Sequence, residues 1–286
     1  MRWWRELKHF PDFVKWSHSA FALPFALASL LLAEKGMPGW RLFFLVVTAV
    51  LSARVTAMAF NRLADMRWDA LNPRTAGRHL PSGRMSKPVA WGIVLVGAAI
   101  FVVVSFSINR TAGCLSPAAL AVVMGYSYAK RFTSWSHFVL GLALGLAPVG
   151  AWVAAKGTFW AVVPWLLASA VICWVAGFDI IYSLQDTDFD RKYGLYSMTV
   201  RLGSVRALFL VKLLHGMMLI FLILAGWAAS LPWFYFAGLS PAGAALVWEH
   251  WLMRRISQSH IDKAFLQANA LASFGFLAAV CLGVFL

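Results

Sequence analysis

Apolar runs of about 20 residues recur along the whole chain, and they restrict it to one class of fold. The chain has 286 residues, of which 61% are hydrophobic and only 13% are charged. A water-soluble domain has no interior large enough for so much apolar surface. A helix of about 20 apolar residues crosses the hydrocarbon core of a bilayer. We therefore predict an all-α, polytopic membrane protein that forms a single transmembrane domain over residues 1–286.

The apolar runs give nine candidate spans. They cover roughly residues 17–34, 41–63, 88–107, 112–129, 135–155, 159–184, 205–228, 232–252 and 264–286. Residues 1–15 mix aromatic and charged side chains, and no convincing small-residue cleavage pattern follows them. We therefore predict no cleavable signal peptide.

The basic residues are distributed unequally between the two sides of the membrane. If the amino terminus is cytoplasmic, 18 of the 25 Lys and Arg residues fall in cytoplasmic segments and four on the opposite side. This is the positive-inside bias of a bacterial inner-membrane protein. The net charge of +14 is then explained by orientation, so we predict no nucleic-acid partner. Nothing in the sequence indicates an obligate protein partner.

Six of the eleven acidic residues are concentrated near the cytoplasmic ends of two apolar runs. Asp65 and Asp69 are four residues apart, as are Asp186 and Asp190. On a helix this spacing places two carboxylates on one face, about 6 Å apart, where they repel unless a cation lies between them. Paired oxygen ligands suit Mg²⁺ bridging to phosphate. The alternative is a solvated helix end, but two pairs beside basic loops favour a metal site formed by these four aspartates.

Basic side chains follow both acidic pairs. Arg74 and Arg78 lie in the loop after the first pair, and Tyr126 and Lys130 lie one helical turn apart at the end of the fourth span. Arginine and lysine side chains can bind the phosphate oxygens that a metal leaves free. We therefore predict that these four side chains bind a diphosphate. Taken alone, Tyr126 and Lys130 would most often be an interfacial anchor and a positive-inside charge.

The order of these residues resembles the UbiA superfamily of intramembrane aromatic prenyltransferases. The similar positions, in chain order, are Asn61, Asp65, Asp69, Arg74, Thr75, Arg78, Leu80, Pro81, Ser82, Gly83, Tyr126, Lys130, Asp186 and Asp190. The resemblance implies nine helices around a central, lipid-accessible cavity, in which two aspartate motifs bind Mg²⁺ and a polyprenyl diphosphate. It also implies substrate contacts for Asn61, and we add Asp179, which heads the second motif.

Within the superfamily, the sequence is most similar to the bacterial 4-hydroxybenzoate polyprenyltransferases. This similarity rests on residues 57–62 and 72–78. It implies prenylation of the ring ortho to the hydroxyl in quinone biosynthesis. A related possibility is prenylation of 1,4-dihydroxy-6-naphthoate in the futalosine route to menaquinone. One departure is Arg62, which stands where the usual motif has an aspartate. A residue next to Asn61 is turned about 100° from the face of the aspartates, so we expect Arg62 to point away from them.

Arg54 is the one arginine well inside a span. It precedes Asn61 by seven residues, about two helical turns, so both share one helix face and Arg54 lies about 10 Å deeper. An arginine at this depth costs about 2.5–3.5 kcal/mol on insertion scales and needs a partner. We expect the carboxylate of an aromatic acceptor to be that partner, with snorkelling as the alternative. Similar enzymes of the superfamily place an arginine there.

Two other classes of protein are alternatives. A cation-coupled transporter could use inward-facing aspartates, but such sites usually lie near the bilayer midplane, whereas both acidic pairs here lie at the cytoplasmic ends. The CDP-alcohol phosphotransferases also use membrane aspartates with Mg²⁺. Their pattern is a single glycine-containing acidic block, which this chain lacks.

Overall fold

The structure, a computed structural model, describes residue 6 and residues 8–15 and 21–286. Every regular element in these ranges is helical and none is a β-strand, which confirms the all-α class. The helices are α1 Phe10–Phe13, α2 Ala22–Glu34, α3 Trp40–Leu71, α4 Lys87–Ile108, α5 Arg110–Ala129, α6 Ser136–Lys156, α7 Val162–Ser183, α8 Thr187–Tyr193, α9 Met198–Ala228, α10 Trp233–Gly238, α11 Ser240–Leu252, α12 Gln258–Lys263 and α13 Asn269–Phe285. A 3-10 turn, Leu184–Asp186, joins α7 to α8, and a π-helical turn, Ala264–Ala268, joins α12 to α13.

Seven helical segments of the described chain are long and apolar enough to cross a membrane. They are α3, α4, α5, α6, the segment Val162–Tyr193, α9 and the segment Ser259–Phe285. The protein is therefore an integral, multi-pass membrane protein, as its composition predicts.

The predicted count of nine spans is not confirmed. Candidate span 17–34 is observed as the 13-residue helix α2, and its residues 17–20 lie outside the described residues. Candidate span 232–252 is divided into α10 and α11 at Leu239. The division has a local cause, because Pro241 has no N–H to donate to the carbonyl of Ala237, as a continuous helix would require.

Helix α7 lies at the centre of the core, between α6 and α9. Its side chains Leu167, Trp174 and Ile181 are fully buried. Helices α6 and α7 approach closely at Gly141, where a Cβ atom would lie 2.7 Å from the carbonyl oxygen of Ile172. This close approach brings His137, one turn before Gly141, against α7.

Helices α4 and α5 form a much less buried part of the bundle. Large apolar side chains on their outer faces are exposed, among them Leu95, Val96, Val103 and Phe106. A continuous apolar surface of this kind is a membrane contact rather than a water contact. The molecule therefore has a dense half around α7 and a lipid-facing half around α4 and α5.

The short amino-terminal segment packs beneath α3 and α4. Phe13 and Val14 are buried in one apolar cluster with Phe60 and Met85. The Glu6 carboxylate accepts hydrogen bonds from the backbone N–H and the hydroxyl of Ser86, at 2.9 and 2.8 Å. These contacts fix the end of the loop between α3 and α4, which carries Arg74 and Arg78.

Candidate active site

One cavity gathers every residue that the sequence analysis assigned to the site. It has a volume of about 680 Å³ and lies mainly among α3, α4, α5, α6 and α7. All eleven predicted site residues line it: Arg54, Asn61, Asp65, Asp69, Arg74, Arg78, Tyr126, Lys130, Asp179, Asp186 and Asp190. Their grouping is thus observed, while the role of each one stays a prediction.

The cavity wall is apolar away from the acidic motifs. Helices α3, α4, α5 and α6 contribute, among others, Val50, Phe101, Leu115, Val122 and Leu146. The wall continues to Phe159 and Trp165, beyond the far end of α6. The cavity therefore extends through the bundle from a charged end to an apolar end.

The first acidic motif lies on the last three turns of the 32-residue helix α3. Asp65 and Asp69 are each only 5% exposed. Asp65 Oδ2 accepts from Asn61 Nδ2 at 3.2 Å and lies 3.1 Å from Lys130 Nζ. Asp69 Oδ1 accepts from Arg78 Nη1 at 2.7 Å. Each buried carboxylate of this motif therefore has a cationic partner from a different part of the chain.

The second acidic motif does not continue α7 as a regular helix. Asp186 ends the 3-10 turn and Asp190 lies in the short helix α8. The Thr187 hydroxyl bonds to the carbonyls of Ser183 and Leu184, at 3.3 and 3.2 Å. Such side-chain bonds to the preceding turn commonly bend helices. Asp186 and Asp190 therefore do not lie on one uninterrupted α-helix, as their spacing had predicted.

The loop after α3 joins the two motifs. Asn72 Nδ2 donates to Asp186 Oδ1 at 2.8 Å, and the Arg74 guanidinium binds both carboxylate oxygens of Asp186. Arg74 Nη1 also donates to the Tyr182 hydroxyl at 2.9 Å. Burial lowers the pKa of Arg74, but its hydrogen bond to Asp186 and its interactions with Tyr182 raise that pKa above the ordinary value. Arg74 is therefore a permanent cation between the motifs.

The donor set fits a hard divalent cation. Asp65 Oδ1 and Asp69 Oδ2 are buried, and neither has a hydrogen-bond partner within the described part of the chain, although Arg131 Nη2 lies 3.8 Å from Asp65 Oδ1. A buried carboxylate oxygen without a donor is unfavourable unless a cation or a ligand satisfies it. The described residues contain no preformed group of three or more acidic, His or Cys side chains with metal-site geometry. Assembly of a site would therefore need both motifs to approach one ion.

The Tyr126 and Lys130 side chains lie on the α5 side of the cavity. Lys130 pairs with Asp65, as described above, and it also interacts electrostatically with Asp190 of the second motif. Tyr126 interacts electrostatically with Asp65, Arg62, Arg54 and Asp179. It therefore stands between the acidic end of the cavity and its deeper part.

Arg54 has a protein partner that the sequence analysis missed. Its Nη2 donates to the main-chain carbonyl of Lys15 at 2.8 Å. The carbonyl comes from the amino-terminal segment that packs beneath α3, a long-range contact that helix periodicity does not reveal. The protein itself therefore supplies one hydrogen-bond partner for Arg54. The guanidinium still lines the cavity, and its contact with an acceptor carboxylate stays a prediction.

Arg62 does not point away from the cavity as predicted. It is 8% exposed and lines the cavity together with Asn61 and Asp69. Its electrostatic neighbours include Arg78 and Asp69. The angle of 100° describes only the Cα–Cβ direction. The long arginine side chain bends around the helix. Arg62 therefore adds a cation beside the first motif.

Three further polar side chains at the site were not identified from the sequence. Asn72 and Tyr182 bind Asp186 and Arg74, and His137 Nδ1 lies 2.6 Å from Asp179 Oδ2. Asn72 stands in the loop that was already noted, and Tyr182 precedes Asp186 by four residues, so both had a local signal. His137 had none, because its contact with Asp179 spans 42 positions.

Comparison with known proteins agrees with this site. Residues 22–280 match the UbiA prenyltransferase family. The 4-hydroxybenzoate octaprenyltransferase of Alkalilimnicola ehrlichii is 32% identical over 88% of this chain and 85% of its own length. The enzyme of the same name from Pseudomonas savastanoi is 34% identical over 82% of this chain and 79% of its own.

Solved structures give the same result. A UbiA homolog from Aeropyrum pernix superposes with a TM-score of 0.85 at 33% identity, covering 92% of this chain and 97% of that one. A UbiA homolog from Archaeoglobus fulgidus bound to GPP and Mg²⁺ has a TM-score of 0.67 at 20% identity and shares the fold, over 95% and 99% of the two chains. These matches favour an enzyme over the transporter alternative. The chain belongs to the UbiA prenyltransferase family and is a membrane-embedded aromatic prenyltransferase.

Proposed function

We propose that the protein transfers a polyprenyl group from polyprenyl diphosphate to the ring of 4-hydroxybenzoate, ortho to the hydroxyl, in quinone biosynthesis. The observation that carries the proposal is the convergence of both acidic motifs and Arg54 on one apolar cavity. The charged end suits a diphosphate, the apolar length suits an isoprenoid tail, and Arg54 suits a ring carboxylate. The printed names of the relatives support the acceptor.

Asp65, Asp69, Asp186 and Asp190 are the residues that would hold Mg²⁺. When bound, the ion neutralises negative charge that grows on the diphosphate as the allylic C–O bond breaks. The A. fulgidus homolog with GPP and Mg²⁺ supports this role. Arg74, Arg78 and Lys130 now pair with the same carboxylates, so they are placed to exchange those partners for phosphate oxygens. Their bidentate and charge-assisted hydrogen bonds would hold the leaving group.

The acceptor half of the reaction needs two things from the protein. Arg54 would bind the ring carboxylate through a bidentate pair, which aligns the ring with the allylic carbon. The apolar wall would exclude water from the carbocation. The ring carbon ortho to the hydroxyl then bonds to the allylic carbon, and loss of the proton from that ring carbon restores aromaticity. Diphosphate, a proton and the prenylated acid are the products.

The proposed location of the active site rests on the basic segments and on the acidic motifs. We propose that the active site opens to the cytoplasmic side of a bacterial inner membrane, because the basic segments cluster at the ends that carry the acidic motifs. The exposed apolar faces of α4 and α5 place membrane lipid next to the cavity wall. A long tail could then enter from the bilayer. No protein partner is needed for this scheme.

A direct assay tests the proposal. Purified protein in lipid nanodiscs would receive radiolabelled polyprenyl diphosphate and a panel of acceptors: 4-hydroxybenzoate, 1,4-dihydroxy-6-naphthoate and phenol. We expect a labelled aromatic product with 4-hydroxybenzoate, no product with phenol, and loss of product with EDTA that Mg²⁺ restores. If only 1,4-dihydroxy-6-naphthoate gives product, this compound is the acceptor in place of 4-hydroxybenzoate. Its ring also carries a carboxylate. Product that survives EDTA would overturn the metal assignment.

A further inference from the structure

Arg62 is a buried cation at the charged end of the cavity. The residue is only 8% exposed, and it lines the cavity with Asn61 and Asp69. Among the described residues, no carboxylate lies within ion-pair distance of its guanidinium, and no side chain or main-chain carbonyl accepts a hydrogen bond from it. A buried guanidinium without a partner is unfavourable. The position of Arg62 therefore suits an anion that binds from the cavity.

The other cations at this end of the cavity already have partners. Arg74, Arg78 and Lys130 each form an ion pair with a motif aspartate. Each of these ion pairs has to open before its cation can transfer its hydrogen bonds to a phosphate, which leaves a carboxylate unpaired. Arg62 has no such bond to lose. It is therefore the cation that can bind an incoming anion with the least rearrangement.

The charge balance of this end also depends on Arg62. The four motif aspartates line the cavity together with Arg74, Arg78 and Lys130, which leaves one negative charge in excess. Arg62 brings the formal charge of these eight groups to zero. An aspartate at this position, as in the usual motif of the family, would make the excess two negative charges. An anion that enters the empty site therefore meets no net repulsion from these groups.

Arg62 lies at the depth of the diphosphate rather than of the acceptor. It follows Arg54 by eight residues on α3, about 12 Å along the helix axis. Its electrostatic neighbours include Asp69 of the first motif and Tyr182, one turn before the second motif. The guanidinium is therefore near the groups that face the diphosphate and distant from the group predicted to hold the ring carboxylate.

We infer that Arg62 is a substrate-binding residue that contacts the diphosphate of the prenyl donor directly, with no metal ion between them. This inference rests on the proposed function. The planar guanidinium binds two phosphate oxygens at once. Its buried setting strengthens these charge-assisted hydrogen bonds. Arg62 therefore supplies a part of the donor affinity that does not depend on Mg²⁺.

Binding of inorganic diphosphate to the purified full-length protein tests the inference. Calorimetry in lipid nanodiscs would be run once with EDTA and once with Mg²⁺. We expect wild type to bind diphosphate in EDTA, and Arg62→Gln to weaken this binding by about 10–100-fold, as the loss of charge-assisted hydrogen bonds predicts. Arg62→Lys keeps the charge but not the planar fork, so its loss should be smaller. Arg67→Gln, an exposed arginine on the same helix, is the matched control and should stay within about twofold of wild type.

Thermal unfolding separates a binding role from a structural one. The empty protein is destabilised by a buried guanidinium without a partner, so Arg62→Met should unfold at a temperature no lower than wild type. A ligand that binds only the native state raises the unfolding temperature. Diphosphate in EDTA should therefore stabilise wild type more than Arg62→Met.

Four results would contradict these expectations. Equal diphosphate affinity of wild type and Arg62→Gln in EDTA would overturn the inference, and so would wild-type binding that occurs only with Mg²⁺. A raised KM for 4-hydroxybenzoate with unchanged diphosphate binding would overturn it by assigning Arg62 to the acceptor. An unfolding temperature of Arg62→Met several degrees below wild type would assign Arg62 to the structure. Wild type that binds diphosphate under neither condition would instead overturn the proposed function.

Discussion

The two acidic motifs have the same spacing but different surroundings. Asp65 and Asp69 lie on a long, regular helix and are almost completely buried. Asp186 lies at the end of a 3-10 turn with its side chain 19% exposed, and Asp190 lies in a helix of seven residues. Identical spacing in the sequence therefore produces one rigid carboxylate pair and one pair on a segment with a changed helical path.

The hydrogen-bond partners of the two motifs also differ. The first motif keeps two buried carboxylate oxygens without a hydrogen-bond partner among the described residues, on Asp65 and Asp69. Asp186 accepts hydrogen bonds from Asn72 and from Nε and Nη2 of the Arg74 guanidinium. We expect the first motif to be preformed for a cation, and the second to move when Arg74 exchanges Asp186 for a phosphate.

The largest effect should come from the first motif. Asp65→Asn removes the buried carboxylate charge while keeping its shape, and we expect turnover to fall by about 10³-fold, the upper range for one preorganised electrostatic group. Asp186→Asn should reduce turnover by about 10²-fold, because neighbouring groups on the bent segment can adjust. Steady-state turnover measures both, with Asp188→Asn as the control. Equal losses would mean that the structural difference between the motifs has no functional consequence.

A smaller effect is expected at Arg54, and it should distinguish acceptor binding from the function of the two acidic motifs. Removing the guanidinium in Arg54→Ala should weaken transition-state binding of 4-hydroxybenzoate by about 2–3 kcal/mol, or about 30–150-fold in kcat/KM. The donor KM should stay within about twofold, because Arg54 lies away from the acidic motifs. If Arg54→Ala changes the donor KM instead, the bond from Arg54 to the Lys15 carbonyl serves the structure and not the acceptor.

The smallest effect should come from the group that joins the motifs. Lysine keeps the charge of Arg74 but cannot bind two oxygens at once. We expect Arg74→Lys to raise the donor KM by about tenfold with little change in the acceptor KM. Arg191→Lys, a surface arginine beside Asp188, is the matched control and should behave as wild type. An unchanged donor KM in Arg74→Lys would show that Arg74 binds only Asp186.

The sequence predicted the parts of the site that depend on local periodicity. Asn61, Asp65 and Asp69 share a face of α3 because α3 is a regular helix, so their spacing was sufficient. The 3-10 turn Leu184–Asp186 was missed because the spacing of aspartates carries no information about the hydroxyl of Thr187.

Long-range contacts account for the other differences. The bond from Arg54 to Lys15 spans 39 positions, and that from Arg74 to Asp186 spans 112. Such contacts depend on how the helices pack, which no periodicity encodes. The division of candidate span 232–252 is different, because Pro241 already provided a local signal against one continuous helix.

The central claim is that both motifs hold one metal–diphosphate complex between them. The most direct measurement is the Mg²⁺-dependent affinity for polyprenyl diphosphate in wild type, Asp65→Asn, Asp186→Asn and the double variant. Residues that act as one unit are non-additive. We predict that each single variant loses nearly all of the Mg²⁺-dependent affinity, with the larger loss in Asp65→Asn, and that the double variant loses no more than Asp65→Asn. Losses that add in the double variant, or Mg²⁺ dependence that persists in either single variant, would contradict the account.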